Sequence, residues 1–413
     1  MSSPRIVYIA FDRFPAPKGA AVHIAAFSRA LIEAFGSLEL VTPAGEESTT
    51  HQNFIKIGTH SPAPQPAGPQ LPDSLLERLV HHELPARGAN LIERVLCFRS
   101  HLRAFWQTRT ADILHIRSIY EGFPLMAAKG SLFQKLVFEV NGLPSIELKY
   151  HYPDAAEDRD LKAKLYAQEQ ACLEAADLLI TVSQVTADLL ATRGIDPRRI
   201  RVIPNGVEPE IFSFRPPAIR RGEEPMRLLY AGTLSSWQGV GIALEALQQL
   251  RRDLPARLTI VGHGRPKQLK LLREKAWELG VGDAIEVLAP VSQVELAGLH
   301  HSHHAVLAPL APDDRNLVQG CCPIKVIEAM ATGTPLIASD MPVVRALARN
   351  DVDALLVKPG SAKAIKDGLL RIAQEPGLAE RLSTTAAARV REEFTWEISR
   401  RKLIEAYREL LEG

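Results

Sequence analysis

Gln319-Gly320-Cys321-Cys322-Pro323-Ile324-Lys325-Val326-Ile327-Glu328-Ala329-Met330-Ala331-Thr332-Gly333-Thr334-Pro335-Leu336-Ile337-Ala338-Ser339-Asp340 holds one unit of a parallel α/β fold in a single stretch. A loop of small residues opens it. Apolar residues then return every three or four positions along a short helix, Gly333 turns the chain, and Pro335–Ala338 reads as a buried strand. The N–H groups at the start of such a helix suit a phosphate or a sugar hydroxyl. Glu328 has two oxygens for the neighbouring hydroxyls of a ribose, the use an acidic residue finds in other nucleotide sites. Taken alone it reads as an exposed helix glutamate, and only the surrounding pattern raises it above that.

The same alternation runs outward in both directions. Strand-like runs fall at Arg5–Phe11, Leu38–Thr42, Ile113–Ile116, Leu136–Val140, Leu178–Val182 and Ile200–Ile203, with helical periods at Ala21–Phe35 and Asp160–Ala175. It restarts at Arg227–Tyr230 and continues through Leu258–Val261, Ile285–Leu288, Ala305–Ala308, Pro335–Ala338 and Ala354–Val357. Strands alternating with helices predict parallel sheets, and two sheets of about half the chain each fit better than one. Glu208–Pro225 carries four prolines and no period, and reads as the linker between them. A second proline cluster, Ser61–Pro72, reads as an extended surface loop of the first domain rather than as an SH3-type ligand. No internal repeat is present beyond the α/β alternation.

Composition removes several classes of protein. The chain has 413 residues, 49 Lys plus Arg against 48 Asp plus Glu, 46% hydrophobic and 23% charged residues. A net charge of +1 argues against a nucleic-acid binder. No apolar run approaches the ~20 residues of a membrane span. Met1–Arg5 does not lead into a signal-peptide core, so the expected location is cytoplasmic. Cys97, Cys172, Cys321 and Cys322 lack the C-x-x-C spacing of a zinc site and form no disulfide framework.

Ligands of open parallel sheets bind beyond the carboxyl ends of the strands. After the first strand, Pro15–Ala21 brings Lys18 and Gly19 to the start of a helix, a place for an anion, although it is not the dinucleotide G-x-G-x-x-G. In the second half, Ala231-Gly232-Thr233-Leu234, with Gln238 just beyond, and Gly262-His263-Gly264 are glycine turns suited to a nucleotide diphosphate. Each turn is common by itself. The run His300-His301-Ser302-His303-His304 resembles a metal cluster, but its place at a helix end favours interaction with the negative end of the dipole. Arg87–Arg109 interleaves Arg94, Arg99, Arg103 and Arg109 with Phe98, Phe105 and Trp106. It reads as a core-packed helix with solvated arginines, and peripheral membrane contact is its second reading.

These motifs, in order, resemble the retaining GT-B glycosyltransferases of glycosyltransferase family 4. The resemblance rests on Thr181-Val182-Ser183, Val202-Ile203-Pro204-Asn205-Gly206-Val207-Glu208, Ala231-Gly232-Thr233-Leu234, Ile260–Gly264, Pro323–Asp340 and Ala354–Gly360, spread over nearly the whole chain. It implies two Rossmann-like doubly wound parallel-sheet domains facing a cleft. Residues 1–208 would bind the acceptor and 209–394 the nucleotide-sugar donor, with a last helix (395–413) returning to the first domain. The implied activity is metal-independent transfer of a sugar from a UDP-, GDP- or ADP-sugar to a small molecule, glycan or lipid-linked acceptor, with no cofactor. A front-face reaction needs no protein nucleophile, since the donor phosphate oxygen takes the acceptor proton.

By position, the resemblance assigns Glu328 to the ribose, Gly19 to the diphosphate, Gly320, Cys321 and Cys322 to the donor sugar, and Val291 to the base. Gly232, Thr233, Gln238, Gly262, His263 and Gly264 complete the expected donor site. Three positions depart from the family. The first glutamate of E-x7-E falls on Gly320. The usual basic pair falls on Thr233 and Gln238, both neutral. Arg117 stands where a histidine is common, and it can clamp phosphate but not act as a base. Replacement cations are Lys325, Arg315, Lys18 and Arg117, with Lys325 foremost because it shares a helix face with Glu328. Glu139 and Asn141 are expected at the acceptor or the transferred sugar, with turn capping as the alternative for Asn141. Catalytic roles are thus expected of Lys325, Arg117 and Glu139, and acceptor contacts of Lys18 and Asn141. The competing readings are a nucleotide-sugar epimerase and a non-catalytic nucleotide-sugar binding protein. An NAD-dependent oxidoreductase is disfavoured by the missing fingerprint.

Overall fold

Strands dominated by Val, Ile, Leu and aromatic residues bury both faces only when helices cover each side of the sheet, and the chain builds this arrangement twice. The computed structural model describes residues 3–16, 19–44, 71–153 and 157–412. Lys18 and most of the proline cluster Ser61–Pro72 lie outside the described residues. In the first domain β1 (Ile6–Ile9), β2 (Leu38–Pro43), β3 (Leu79–Leu84), β4 (Ala111–Ile116), β5 (Phe133–Val140), β6 (Leu178–Thr181) and β7 (Ile200–Val202) form a parallel sheet in the order β3-β2-β1-β4-β5-β6-β7. Around it lie α1 (Gly19–Phe35), α2 (Asp73–Leu76), α3 (Leu91–Trp106), α4 (Ile119–Gly122), α5 (Pro144–His151), α6 (Arg159–Ala175) and α7 (Gln184–Thr192).

The second sheet repeats the winding. β8 (Met226–Ala231), β9 (Ala256–Val261), β10 (Ile285–Leu288), β11 (Ala305–Ala308), β12 (Leu336–Ser339) and β13 (Leu355–Val357) run in the order β10-β9-β8-β11-β12-β13. Its helices are α8 (Val240–Leu250), α9 (Pro266–Glu278), α10 (Gln293–Ser302), α11 (Ile324–Thr332), α12 (Pro342–Arg345), α13 (Ala362–Gln374) and α14 (Leu378–Glu393). Each sheet reverses its winding beside its first strand, between β1 and β4 and between β8 and β11, and the crevice outside the strand ends at such a point is where ligands bind.

Every expected strand is present, and one more was not expected. β3 pairs with β2 from Leu38↔Leu79 to Pro43↔Leu84. Its His81-His82-Glu83 centre lacks an apolar run because β3 is an edge strand with half-exposed faces. Glu208–Pro225 has no regular structure, as expected of a linker, yet it does not hang free. Phe212 is buried in the second core, and a Cβ at Gly333 would strike the Phe214 ring at 2.7 Å.

The closing helix α15 (Trp396–Glu412) crosses back to the first domain. Trp396, Leu403, Ala406 and Tyr407 are buried in one core with α1 and β1. The two chain crossings lie side by side, with Val207 bridged to Thr395. Gly206 is needed there, because a Cβ would run into the Thr395–Trp396 backbone.

Candidate active site

The floor of the second-domain site is two glycine turns in contact. Gly232 (φ +151°) follows β8, Gly262 follows β9, and a Cβ on Gly262 would overlap the Gly232 carbonyl. The Gly232 amide donates to the Val261 carbonyl at 2.9 Å, and the Leu234 amide to the His263 carbonyl at 3.1 Å. Thr233 and His263 are exposed on these turns, Gly264 packs on Leu234, and Val291 lies half-buried on the loop after β10.

Under the Gly232 turn sits the side chain of Lys325, from the first turn of α11. Its Nζ donates to Gln238 Oε1 at 2.6 Å and lies 4.3 Å from the centre of the Tyr230 ring. A Cβ added to Gly232 would meet that Nζ at 2.5 Å. Burial pulls the Lys325 ammonium down to about 7, against the opposing pull of Glu328. Glu328, one turn on, is buried as well. Burial pushes its carboxyl up to about 7 while Lys325 holds it down, and the carboxylate makes no hydrogen bond to any described residue. Glu328 is therefore not a solvated helix glutamate. It is a buried carboxylate in the field of Lys325, with acceptor capacity that no described residue takes up.

Across the seam, the start of α1 faces the start of α11: a Cβ on Gly19 would lie 3.4 Å from Ile324 Cδ1. Behind Gly19, Arg117 is buried at the end of β4. Its Nε donates to Glu139 Oε1 at 2.9 Å, and its Nη1 to Asp12 Oδ2 at 3.2 Å and to the Ala20 carbonyl at 3.4 Å. Burial opposes the guanidinium charge, but Glu139, Tyr8 and Asp12 outweigh it and keep Arg117 charged.

Glu139 departs from its expected role. The residue is fully buried, and its carboxylate also accepts from the Tyr8 hydroxyl at 2.7 Å and from the Asn141 amide. His23 Nε2 lies 3.0 Å and His115 Nε2 3.3 Å away. Burial alone would raise its carboxyl; Arg117, His23 and His115 instead hold it well below the usual range. Enclosed in this way, the Glu139 carboxylate is fully buried and spends itself on Arg117, Tyr8 and Asn141. Asn141 donates its side-chain amide to the Glu139 carboxylate rather than to a backbone group of the turn.

Gly320 has a structural reason of its own. Its φ is +84°, and a Cβ would meet Ser183 Oγ at 2.6 Å and Thr186 Oγ1 at 2.9 Å on the first turn of α7. No glutamate fits at that position with the domains so placed. Cys321 and Cys322 are buried free thiols, and the Cys322 carbonyl accepts from Asn205 Nδ2 at 2.9 Å across the seam. Asn205 Oδ1 in turn lies 2.9 Å from His23 Nδ1, so that Asn205 joins His23 to the Cys322 loop.

His23 and Glu147 carry no local signal of a site role in the sequence, while Asn205 and Gln319 lie in quoted motifs that assign them none; Glu147 and Gln319 meet across the seam at 2.8 Å. Such pairs form only when two domains close, so no spacing along the chain announces them.

The histidine run is structural, but not for the reason expected. His300 is buried with Nδ1 3.3 Å from Thr332 Oγ1, and His303 spans the Leu299 carbonyl (2.6 Å) and Thr259 Oγ1 (3.0 Å). His304 Nδ1 accepts from the Arg227 amide at 2.9 Å. Burial lowers the pKa of all four imidazoles, to about 3 in His300 and about 4 in His304, so they are neutral and make no charged cap on the helix dipole. Among the described residues no three His, Cys, Asp or Glu are gathered to hold a metal ion. In Arg87–Arg109, Arg99 points inward and donates to the Tyr120 and Ile119 carbonyls, while Ile92 and Leu96 are exposed. No helix of the described residues is long and apolar enough to cross a membrane.

Comparison with known proteins meets this geometry from the other side. The sequence profile described as Glycosyltransferase Family 4 matches residues 17–211, and that described as Glycosyl transferases group 1 matches residues 214–389. A D-inositol 3-phosphate glycosyltransferase of Xylanimonas cellulosilytica is 24% identical over 403 residues, covering 94% of this chain and 91% of the relative. Among solved structures, sucrose-phosphate synthase from Thermosynechococcus elongatus superposes with a TM-score of 0.76 at 20% identity, over 99% of each chain. Anabaena HepE in complex with UDP and glucose superposes with a TM-score of 0.70 at 13% identity, over 98% of this chain and 100% of that one. The last two likenesses speak to the fold, which is GT-B.

Proposed function

Because this chain belongs to the glycosyltransferases, with a family 4 first half and a group 1 second half, we propose that it moves a sugar from a nucleoside-diphosphate sugar to an acceptor with retention at the anomeric carbon. The observation that carries this reading is Lys325. A buried ammonium lies directly beneath the Gly232 turn, in a protein whose turn residues Thr233 and Gln238 are neutral. Charge develops on the leaving diphosphate as its bond to the sugar breaks, and a fixed cation in a dry site is worth most at that moment. Lys325, the N–H groups of the glycine turns and the start of α11 supply that stabilisation without a metal ion. This supports transfer over mere binding.

In this reading the second domain holds the donor. Glu328 accepts two hydrogen bonds from the ribose, Val291 lies at the base, and Gly320, Cys321 and Cys322 lie beside the sugar. Gly19 and Arg117 approach the diphosphate from the first domain, which also takes the acceptor, and Glu139 holds Arg117 in place. The acceptor hydroxyl attacks the anomeric carbon on the face that the diphosphate leaves. One C–O bond to phosphate breaks, one to the acceptor forms, and the acceptor proton passes to a phosphate oxygen.

Calorimetric titration with UDP-, GDP- and ADP-glucose under chelation, with nucleotide release followed in the same samples, tests the proposal. D-inositol 3-phosphate enters the acceptor panel because a relative carries that name. Binding of one donor with slow release, quickened by an acceptor, is the expected result. Binding with no release across the panel would establish a binding protein instead, and conversion of the sugar without an acceptor would establish an epimerase.

A further inference from the structure

One arginine ties three parts of the site together. Arg315 lies on the segment between β11 and α11, with its side chain almost wholly buried. The guanidinium stacks on the Trp237 ring, 4.8 Å from its centre, just before Gln238 in the loop that receives Lys325. Its Nη1 donates to the Gly320 carbonyl at 2.7 Å, fixing the loop that leads into α11. Its Nε is ion-paired with Glu147, on α5 of the other domain. Glu147 also accepts from Gln319 Nε2 at 2.8 Å, and the Gln319 carbonyl oxygen of the side chain receives the Leu143 amide at 3.0 Å.

The contact extends in both directions along α5. Lys149 and the Tyr150 hydroxyl both reach Asp314, and Arg265, which follows the Gly262–Gly264 turn, donates to the His151 carbonyl at 2.8 Å. The two chain crossings lie side by side at Val207 and Thr395, where a hinge between the domains would fall. The α5 contacts are separate from that crossing and join loops of one domain to a helix of the other. Contacts at a hinge survive a rotation of one domain on the other, and contacts away from it break.

We propose that Arg315, through Glu147, is a positioning residue of the transfer reaction: it makes closure of the two domains and ordering of the donor loop a single event. This rests on the glycosyl-transfer reading above. An arginine suits the role because its planar fork serves a carboxylate and a carbonyl at once while its face stacks on an indole, and lysine cannot do all three. When the domains part, Glu147 leaves, and the guanidinium no longer has the partner that holds it between Trp237 and Gly320. The donor loop then loses the brace that sets Lys325 against the leaving group. A shift of about 1 Å at such a site costs on the order of 100-fold in rate.

The test compares Arg315→Lys, Glu147→Gln and the swapped pair Glu147→Arg with Arg315→Glu against the wild type, in two arms. In the first, hydrogen exchange of the ligand-free proteins is followed in peptides from α5 and from Asp313–Cys322, with the central strands as a control for folding. Arg315→Lys is expected to speed exchange in α5, in the domain it does not belong to, as well as in its own segment, and the swapped pair to slow α5 again while the segment stays fast, since a glutamate at 315 restores the ion pair but cannot donate to the Gly320 carbonyl. In the second, titration with UDP, GDP and ADP is paired with nucleotide release from the corresponding glucose donors. Affinity for the bound nucleotide should stay within about fivefold, the worth of the lost indole contact, while kcat falls about 100-fold. Unchanged exchange in α5, or a loss confined to nucleotide affinity, would overturn the proposal. If the wild type binds none of the three nucleotides, the functional reading fails while the exchange arm still decides whether the clasp exists.

Discussion

Replacing Lys325 by methionine should make the protein more stable and nearly inactive. The ammonium is drawn from 10.5 to about 7 by burial, which Glu328 only partly offsets. At ~1.4 kcal/mol per pKa unit, holding that charge in the ligand-free site costs on the order of 4 kcal/mol near neutral pH. Removing it also strips Glu328 of its counter-charge and drives that carboxyl higher, which returns part of the gain, so about 2 kcal/mol is expected to remain. For a domain of this size that is a rise of about 4–8 °C in Tm. The sign has a pH signature. An unfolded lysine keeps its proton up to 10.5, and the folded one sheds it near 7. Between those values the unfolded chain binds more protons, so wild-type stability climbs with pH across that window. The variant lacks this climb. Its advantage is full below pH 7 and shrinks towards 10.5. Turnover, by contrast, should fall 100- to 1000-fold, roughly 3–4 kcal/mol of lost stabilisation of the leaving diphosphate. Thermal melts at about pH 6 and about pH 9, with nucleotide release measured on the same preparations, decide the matter. A variant that melts lower at the acid pH, or that turns over like the wild type, would refute the placing of this charge.

Four further outcomes follow from the same site. Donor affinity should be bell-shaped in pH with its maximum near 7, since Glu328 must be ionised and Lys325 protonated; Lys325→Arg should abolish the alkaline limb, as titration across the range would show. Glu328→Gln should weaken donor binding about 10-fold by calorimetry, one impaired charge-assisted acceptor, and flatten the acid limb; unchanged affinity would move the ribose elsewhere. Glu139→Gln strands a buried guanidinium and should cost about 3–5 kcal/mol in denaturant unfolding, and a loss below about 1 would mean Arg117 finds another partner. Gln238→Lys should abolish donor binding in calorimetry, whereas pairing it with Lys325→Gln should restore a good part of it. Equal defects in the single and the paired variant would show that the position of the cation matters, and not merely its presence.

Much of the fold is legible in the order of the residues because buried parallel strands must be continuous apolar runs. β8, β11 and β12 show this plainly, their inner residues being almost wholly buried. β3 was illegible for the converse reason: an edge strand tolerates His81, His82 and Glu83, and only its neighbour β2 makes it a strand. Glycines that sequence marks as turns have visible causes at Gly232 and Gly320, where a Cβ would strike Lys325 Nζ and Ser183 Oγ. The sharing of one helix face by Lys325 and Glu328 could be read from their spacing. Two things could not be read. Burial reverses the apparent character of a charged residue: Glu139, at the end of a strand beside a turn, looks available for chemistry until Tyr8, His23, His115 and Arg117 close around it. Contacts across the seam, Glu147 with Arg315 and Asn205 with Cys322, join residues more than a hundred positions apart and leave no periodic trace.

The neutral turn and the buried lysine are best understood as one arrangement. Gln238 presents its carbonyl oxygen to Lys325 Nζ at 2.6 Å, beneath Gly232. A lysine at position 238 in the same rotamer would set two ammonium groups at that distance, and like charges so close in a buried site cannot both be held. A chain that carries the cation on α11 therefore needs a neutral acceptor on the turn, and Gln238 both satisfies the ammonium and orients it. The cost is a desolvated charge that the free protein holds poorly, as its lowered pKa records. On the proposed function, an incoming diphosphate would supply the counter-charge, return the lysine to its protonated form and draw a proton from solvent above pH 7, so that binding would strengthen the same group that the leaving phosphate needs. A cation on an exposed turn would bind the donor too, but it would already be solvated, and water would take most of its effect on the departing charge.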